Sequence, residues 1–286
     1  MDYILKTNNL CKKYGDFSID NINISLPYKT IMGLIGENGA GKTTILRIIL
    51  GLIKKYNGDV YIFGVENSFQ YKKNKEKIGV VFDECKFHDT LTAEDISVIL
   101  KNVYIKWNAN HFLKLVSDFN IPKNKKIKEY SKGMKTKISI ASALSHDAQL
   151  LIMDEATSGL DPVARIEVMR LLRQYVSEKN CSILFSSHIT SDLEQFADIV
   201  TLIHNGKCLF SKTVNCLRNE YSLIQCDNEI EQKLKTDPIE KYLFNDDNGK
   251  TTLLLHGNIE SINSIYPAKQ PSIEEIMLHY IKGDQI

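Results

Sequence analysis

The chain has 286 residues, which at roughly 100–200 residues per domain is enough for two structural units. Its 36 lysine and arginine residues nearly balance 35 aspartate and glutamate residues, and this net charge of +1 argues against a protein that binds DNA or RNA by broad phosphate neutralisation. A hydrophobic fraction of 43% with 25% charged residues excludes disordered and fibrous chains.

Strand patterns dominate the first third of the chain. The predicted strands are Tyr3–Leu5, Ile19–Leu26, Thr30–Ile35, Asp59–Phe63 and Lys77–Phe82. After Gly41 the apolar period becomes helical and continues to Leu52, so we expect one helix between the third and fourth strands.

The middle of the chain is predicted to be helical. Thr92 and Asp95 have the spacing of a capping box, which opens a helix. Its expected apolar face consists of Ile96, Ile99, Leu100 and Val103. A second helix is predicted over 110–119, followed by a lysine-rich loop at 121–126.

Strands and helices alternate after this insert, which predicts a largely parallel sheet with helices on both faces. The expected elements are a helix over 133–144, a strand at Leu150–Met153, a helix from Asp161-Pro162, a strand at Ser182–Ser186, a short helix after Thr190 and a strand at Ile199–Ile203.

The pattern changes again at about residue 215, which predicts a small α+β extension over 216–286. Its expected strands are Leu223–Cys226 and Thr251–His256. Ser272 and Glu275 form a second capping box, which opens a last helix that ends at Gly283.

Targeting signals and cysteine patterns indicate the cellular compartment. No stretch approaches the ~18 consecutive apolar residues of a membrane helix, and the first residues do not resemble a secretion signal, so we expect a cytoplasmic protein. The cysteines form no C-x-x-C pair and are expected to be reduced packing thiols. They are Cys11, Cys85, Cys181, Cys208, Cys216 and Cys226.

A glycine-rich loop between a predicted strand and a predicted helix carries the first chemical motif. Residues 36–43 read GENGAGKT and fit the phosphate-loop pattern G-x-x-x-x-G-K-[ST]. Backbone N–H groups and the helix N-terminus would hold nucleotide phosphates, Lys42 would reach the β- and γ-phosphates, and Thr43 would coordinate Mg²⁺. The candidate nucleotide-binding residues are Gly36, Glu37, Asn38, Gly39, Ala40, Gly41, Lys42, Thr43 and Thr44.

An acid pair ends the apolar strand Leu150–Met153. The carboxyl ends of parallel strands face the crevice where ligands bind in open α/β sheets. Asp154 would therefore contribute to the Mg²⁺ site and Glu155 would act as general base on the attacking water. Without the phosphate loop, the same two acids could equally begin an ordinary surface loop.

Further motifs follow in a fixed order: YSKGMK at residues 130–135, SGLD at 158–161, and His188 after a strand. Together with the phosphate loop they resemble the ATP-binding cassette (ABC) family of transport ATPases over about residues 1–215. The resemblance implies an α/β P-loop NTPase fold with a parallel-sheet core, an N-terminal antiparallel β-subdomain and a helical subdomain at about 84–130. It also implies ATP and Mg²⁺ as cofactors and a head-to-tail pair of subunits.

The same resemblance implies roles for single residues. Tyr14 is expected to stack on adenine, and Ser131 and Gly133 to cap the γ-phosphate held by the opposite subunit. His188 is expected to hydrogen-bond the γ-phosphate and to orient Glu155 and the attacking water. Asp161 is similar to a residue of the inter-subunit loop. Ordinary explanations stay open: a surface tyrosine, a helix cap, a strand-end histidine and an Asp-Pro helix start.

The sequence departs from the family pattern in two motifs. Lys132 and Met134 replace a glycine and the glutamine of Leu-Ser-Gly-Gly-Gln, so the backbone at Lys132 is not expected to need positive φ. Asp83 and Glu84 stand where a glutamine is expected. A carboxylate can approach Mg²⁺ but cannot donate as an amide does, and Asp83 is the candidate for a metal ligand and for the coupling position.

Residues 271–278 are similar to the ending common in the drug, antibiotic-peptide and bacteriocin export branch. The resemblance thus implies an ATP-hydrolysing subunit on the inner face of the membrane, bound to a separate multi-span permease and to a second ATP-binding subunit, identical or not, without a nucleic-acid partner. A soluble ABC ATPase acting on ribosomes or nucleic acid is the alternative, although such proteins carry two cassettes or a coiled-coil insertion. A small-molecule kinase is disfavoured by the motifs after residue 130.

Overall fold

The structure, a computed structural model, describes residues 2–54, 56–66, 72–225, 240–245, 251–257 and 268–285. Its central sheet consists of β4 (Ile31–Ile35), β7 (Ile78–Val81), β8 (Leu150–Asp154), β9 (Ser182–Ser187), β10 (Ile199–His204) and β11 (Lys207–Thr213). The strands pair in the order β11-β10-β4-β9-β8-β7, and every pair except β10 with β11 is parallel. The predicted α/β fold with a parallel core is confirmed.

The described helices pack on the central sheet or on the elements beside it. They are α1 (Lys42–Ile49), α2 (Lys72–Lys75), α3 (Ala93–Val103), α4 (Ala109–Asp118), α5 (Lys132–Leu144), α6 (Pro162–Glu178), α7 (Thr190–Phe196), α8 (Val214–Asn219) and α9 (Ile273–Lys282). Strand β8 is buried on both faces: Leu150 and Ile152 join one hydrophobic cluster, while Leu151 and Met153 join the other. This explains its continuous apolar run. No helix in the described ranges has the length and apolar character needed to cross a membrane.

The N-terminal sheet is antiparallel, as expected from the resemblance. It contains β1 (Tyr3–Tyr14), β2 (Phe17–Ile22), β3 (Ser25–Pro27), β5 (Asn57–Ile62) and β6 (Val65–Glu66). The prediction of one strand over Ile19–Leu26 is wrong. Asn21 adopts a left-handed φ of 52°, and the Asn23 amide bonds to the backbone of Asn21 and Asn9, which separates β2 from β3.

The predicted helical insert contains α3, α4 and a 3₁₀ turn at Ile127–Glu129. The capping box of Thr92 and Asp95 is present. The predicted apolar face of α3 is only partly right, because Ile96 is buried whereas Ile99 and Val103 are 45% and 58% exposed. Helix α3 packs on α4 on one side and presents these two side chains to solvent. Leu52, expected on α1, lies beyond the end of that helix and is 61% exposed.

The C-terminal residues form a third, antiparallel sheet together with α9. Its strands are β12 (Tyr221–Gln225), β13 (Glu240–Asn245), β14 (Thr251–His256), β15 (Ala268–Lys269) and β16 (Asp284–Gln285). The predicted strand at 223–226 begins two residues earlier, and Cys226 lies outside the described residues. The elements that were not predicted are β6, β11, β13, β15, β16, α2 and α8. The cap of α9 by Ser272 is confirmed.

The extension shares its apolar core with the preceding residues. Helix α9 packs on α7, where the Ile273 N–H donates to Glu194 Oε1 over 2.7 Å. Buried side chains from both sides of residue 215 belong to one hydrophobic cluster. They include Phe196, Phe210, Val214, Leu217, Tyr221, Leu223, Leu254, Ile273 and Ile276.

The five described cysteines are free, as predicted. Burial raises the pKa of the Cys181 thiol to about 12 and that of Cys208 to about 11. Thiols with such pKa values carry almost no thiolate at neutral pH, so these two cysteines serve packing rather than chemistry.

Candidate active site

Three neighbouring parallel strands of the central sheet deliver the predicted site residues to one edge. Strand β4 leads into the glycine-rich loop, β8 ends in Asp154 and is followed by Glu155, and β9 precedes His188. Because β4, β9 and β8 are adjacent and parallel, their carboxyl ends lie side by side. The topology alone therefore brings together residues that are more than 100 positions apart in the sequence.

The glycines of the loop are required by its geometry. A Cβ atom added to Gly36 would lie 2.1 Å from the carbonyl oxygen of Ile203, which no side chain could tolerate. Gly39 and Gly41 adopt φ values of 83° and 111°, in the region that favours glycine. The chain then enters α1 at Lys42.

Lys42 carries a buried positive charge into this loop. Its side chain is folded under the backbone, with Nζ donating to the carbonyl oxygens of Gly36 at 2.7 Å and Glu37 at 3.2 Å. The same Nζ lies 3.5 Å from Glu155 Oε1. The ammonium is thus held between the phosphate loop and the acid pair, where an anionic ligand would meet it.

A cluster of oxygen atoms lies beside the lysine. Thr43 Oγ1 donates to Asp154 Oδ1 over 2.9 Å, and Ser186 Oγ donates to the same oxygen over 2.8 Å. A hydroxyl and a buried carboxylate are ligands that Mg²⁺ accepts, and the ion commonly completes its shell with water and substrate phosphates. The donor set therefore fits Mg²⁺. In the described part of the chain no group of three or more His, Cys, Asp or Glu side chains could hold a metal on its own.

Ser186 is a site residue that the sequence prediction missed. It pairs with Asp154 in the register of β8 and β9, and its Oγ also accepts from the Glu155 N–H over 2.9 Å. The signal was present, because a serine at the end of a neighbouring parallel strand is expected beside the last residue of β8.

Glu155 and His188 form the closest ionisable pair of the site. His188 Nδ1 lies 2.6 Å from Glu155 Oε2. Glu155 adopts φ of 50°, a left-handed conformation that costs a non-glycine residue roughly 1–3 kcal/mol and that occurs preferentially at functional sites. Its carboxylate therefore bridges His188 on one oxygen and Lys42 on the other.

Most predicted phosphate-loop residues line one pocket together with Glu155. The lining residues are Phe17, Asn38, Gly39, Ala40, Gly41, Lys42, Thr43, Thr44 and Glu155. Phe17 was not predicted, although it lies three residues after Tyr14 in a stretch with few other aromatics. Its ring packs against the loop, since a Cβ atom on Gly41 would lie 3.1 Å from Phe17 Cζ. Tyr14 is 41% exposed at the end of β1, with Lys12 Nζ 5.1 Å from its ring centroid.

The residues of the signature lie elsewhere in the same chain. Ser131 caps α5 by accepting from the Met134 N–H over 3.2 Å, and Gly133 is in the first turn of that helix. Neither is among the described residues that line the phosphate-loop pocket. Lys132 has ordinary helical geometry, as expected. Asp161 caps α6, and the N–H groups of that helix lower the pKa of its carboxyl.

Asp83 is placed beside the signature. Its Oδ1 accepts from Ser158 Oγ over 3.4 Å and lies 3.3 Å from Lys132 Nζ. The carboxylate therefore contacts the signature and the loop after the acid pair. Among the described residues it forms no hydrogen bond with Thr43 or Asp154, the other two predicted Mg²⁺ ligands.

A phosphate loop that opens a helix, an acid pair at the end of a parallel strand of the same sheet and an ordered signature define the class of P-loop ATPases. The model of the ABC transporter family matches residues 19–158. A bacitracin transport ATP-binding protein of Bacillus licheniformis is 41% identical over 214 residues, covering 73% of this chain and 69% of that protein. The chain belongs to the ABC transporter family and is an ATP-binding, ATP-hydrolysing subunit.

Further comparisons agree with this family. A lantibiotic transport ATP-binding protein of Streptococcus pyogenes is 35% identical, over 73% of this chain and 90% of that protein. Among solved structures, an ATP-binding subunit of an ABC transporter superposes with a TM-score of 0.69 at 24% identity, covering 75% of this chain and 92% of the other. A dimeric ATP-binding cassette bound to ADP and Pi gives 0.66 at 24% identity, covering 73% and 98%. These two structures support the fold.

Proposed function

We propose that the chain powers an exporter of antibiotic or peptide type through a separate multi-span permease, on the inner face of the membrane. The bridging of Lys42 and His188 by Glu155 is the observation that carries the hydrolytic part. The transport part is supported by the similarity to subunits named for bacitracin and lantibiotic transport.

The hydrolytic step follows from the positions of the charged groups. Loop N–H groups and Lys42 would hold the phosphates, and Thr43 with Asp154 would hold Mg²⁺, which neutralises charge on the β- and γ-phosphates when bound. Glu155 accepts a proton from a water molecule while the oxygen of that water attacks the γ-phosphorus. The bond between the γ-phosphorus and the β–γ bridging oxygen breaks, which gives ADP and phosphate. His188 holds the Glu155 carboxylate in place through the 2.6 Å contact.

A second subunit would complete each site. Ser131 and Gly133 lie at the N-terminus of α5, where free N–H groups and the helix dipole favour an anion. Since these residues do not line the pocket of their own chain, we propose that they cap the γ-phosphate held by a partner subunit arranged head to tail. In this arrangement Tyr14 stacks on adenine and Asp161 lies at the subunit interface.

The permease would bind the helical insert. The second half of α3 and the following turn expose four large apolar side chains, an arrangement typical of a surface for a protein partner. They are Val98, Ile99, Val103 and Ile105, exposed by 64%, 45%, 58% and 85%. A groove next to them is lined by Phe82, Leu100 and Tyr104. We propose that this surface receives a cytoplasmic segment of the permease.

The division of labour along the chain is also a proposal. Residues 1–215 would form the ATP-binding domain, with its helical subdomain at about 84–130, and residues 216–286 an accessory domain. The accessory domain is joined to the first through α7 and α9, so it is positioned to follow movements of the helix that begins just after His188.

A resistance assay tests the transport proposal. The chain is expressed in a sensitive host together with a candidate permease, and the inhibitory concentrations of bacitracin and a lantibiotic are measured. Resistance that is lost in Glu155→Gln supports the proposal. Unchanged sensitivity together with co-sedimentation of the purified chain with ribosomes would favour the soluble alternative.

A further inference from the structure

Two of the departures from the family pattern, Asp83 and Lys132, meet in the structure. Asp83 follows β7 by two residues, and Lys132 is the first residue of α5. Although 49 positions separate them in the sequence, Lys132 Nζ lies 3.3 Å from Asp83 Oδ1. Both side chains are about half exposed or more, so the ion pair contributes little to the stability of the fold. Its role therefore depends on the segments of the chain that it connects.

The methylene chain of Lys132 covers a backbone segment that leads to the catalytic acid. A Cβ atom on Gly159 would lie 2.7–2.9 Å from Cγ, Cδ and Cε of Lys132, so the lysine stem rests directly on the Gly159 backbone. Ser158, the preceding residue, donates to the same Asp83 oxygen over 3.4 Å. The backbone N–H of Ser158 in turn donates to the carbonyl oxygen of Glu155 over 3.2 Å.

The signature turn lies beside the same segment, with about the space of one methyl group between them. A Cβ atom on Gly133 would lie 3.7 Å from both the carbonyl oxygen of Gly159 and Cδ2 of Leu160, which is ordinary van der Waals contact. Leu160 is 5% exposed and belongs to the core. The signature turn and the loop after Glu155 therefore lie side by side, and the side chains of Lys132 and Asp83 connect the two from the solvent side.

We propose that Asp83 and Lys132 are a pair of positioning residues that clasp the signature turn to the loop following Glu155 within one subunit. Neither side chain is assigned contact with the nucleotide. The clasp fixes the loop and thereby sets the position of the signature relative to the general base. The signature serves the nucleotide of the partner subunit, and the general base serves the nucleotide bound by its own chain. This inference rests on the proposed hydrolytic function.

The test is a double-mutant cycle on ATP turnover of the purified chain. Lys132→Met retains the stem over Gly159 and removes the charge, and Asp83→Asn removes the opposite charge. Each single variant is expected to lower kcat about three- to tenfold with little change in KM for ATP, and the double variant to be no slower than either single one. Lys132→Arg, which restores the charge, should recover most of the lost kcat.

Lys106→Met is the matched control, because Lys106 forms a similarly exposed ion pair with Asp147 over 2.7 Å without touching the signature. Its kcat should equal that of the wild type. Four outcomes would each contradict the clasp. They are additive losses of kcat in the cycle, an unchanged kcat in Lys132→Met, an effect on KM alone, and a melting temperature that falls in parallel with kcat. A wild-type chain without ATPase activity would instead contradict the proposed function itself.

Discussion

His188 Nδ1 and Glu155 Oε2 are 2.6 Å apart, and the other oxygen of the same carboxylate lies 3.5 Å from Lys42 Nζ. One carboxylate is therefore shared by a residue after β9 and a residue of the phosphate loop. Bonds from both sides restrict its rotation, which is what a general base needs to receive a proton from a fixed direction.

Replacing Glu155 by glutamine should remove turnover and spare nucleotide binding. The amide retains the shape of the side chain but cannot accept a proton, so we expect kcat to fall by about 100-fold or more. ATP should then accumulate in a dimer that elutes earlier in size-exclusion chromatography. Glu167→Gln on the exposed face of α6 should behave as wild type, and wild-type turnover in Glu155→Gln would exclude this residue as the base.

Lys42→Ala should act mainly on binding. Loss of a buried charge that would meet the β- and γ-phosphates is expected to raise the Kd for ATP about 10- to 100-fold. Titration calorimetry measures this change, with the exposed Lys101→Ala as the control. Unchanged affinity would contradict the proposed role of Lys42.

Phe17→Ala tests the aromatic residue that only the structure revealed. Its ring packs beside Gly41 in the phosphate-loop pocket, and truncation should weaken ATP binding about 5- to 50-fold through lost contact with the nucleotide and the loop.

Tyr14→Ala should weaken binding of ATP more than binding of inorganic triphosphate, because the expected partner of Tyr14 is the adenine base. Equal effects of Tyr14→Ala on both ligands would argue against stacking.

Ile105→Asp should separate permease binding from hydrolysis. Ile105 is 85% exposed and contributes no packing to the core, so folding and basal ATPase activity are expected to stay at wild-type levels. Capture of the co-expressed permease on immobilised chain should fall on the order of tenfold. Leu52→Asp, another exposed apolar position, provides the control. Full capture by Ile105→Asp would remove this surface from the proposed interface.

Asp192 gives a pH prediction whose sign is set by burial. Burial raises the pKa of its carboxyl above the ordinary value of 3.8, although Thr157 donates to it over 3.2 Å. The unfolded chain loses this proton at lower pH than the folded one, so the free energy of unfolding falls as pH rises from 3.8 through the folded-state pKa. Asp192→Asn should therefore be more stable than wild type at neutral pH, and the difference should shrink as the pH is lowered.

Urea midpoints across the pH range measure this effect. Asp95→Asn supplies the opposite sign, because hydrogen bonds from Thr92 lower the pKa of Asp95 and its stabilising effect is lost as pH falls. A stability difference for Asp192→Asn that does not vary with pH would contradict the burial argument.

The sequence was informative wherever a local pattern determines the outcome. The phosphate loop, the caps of α3, α5 and α9 and the buried strand β8 all depend on residues within a few positions, and each was predicted. Ser186 was missed because its place beside Asp154 is set by the pairing of β8 with β9. Phe17 was missed because its ring packs on Gly41, 24 positions further along the chain, and no local pattern indicates that contact. The contact of Asp83 with Lys132 could not be predicted for the same reason, since each residue alone was only a departure from a pattern.

The apolar cluster that spans residue 215 affects how the chain can be divided. Phe210 packs on Tyr280 of α9, and α7, which carries Phe196, also packs on α9. A truncated gene product ending near 215 would expose these side chains to water and invite aggregation. The parts of the chain before and after residue 215 are therefore expected to unfold in one cooperative transition. The accessory residues are then required to obtain the ATPase in soluble form.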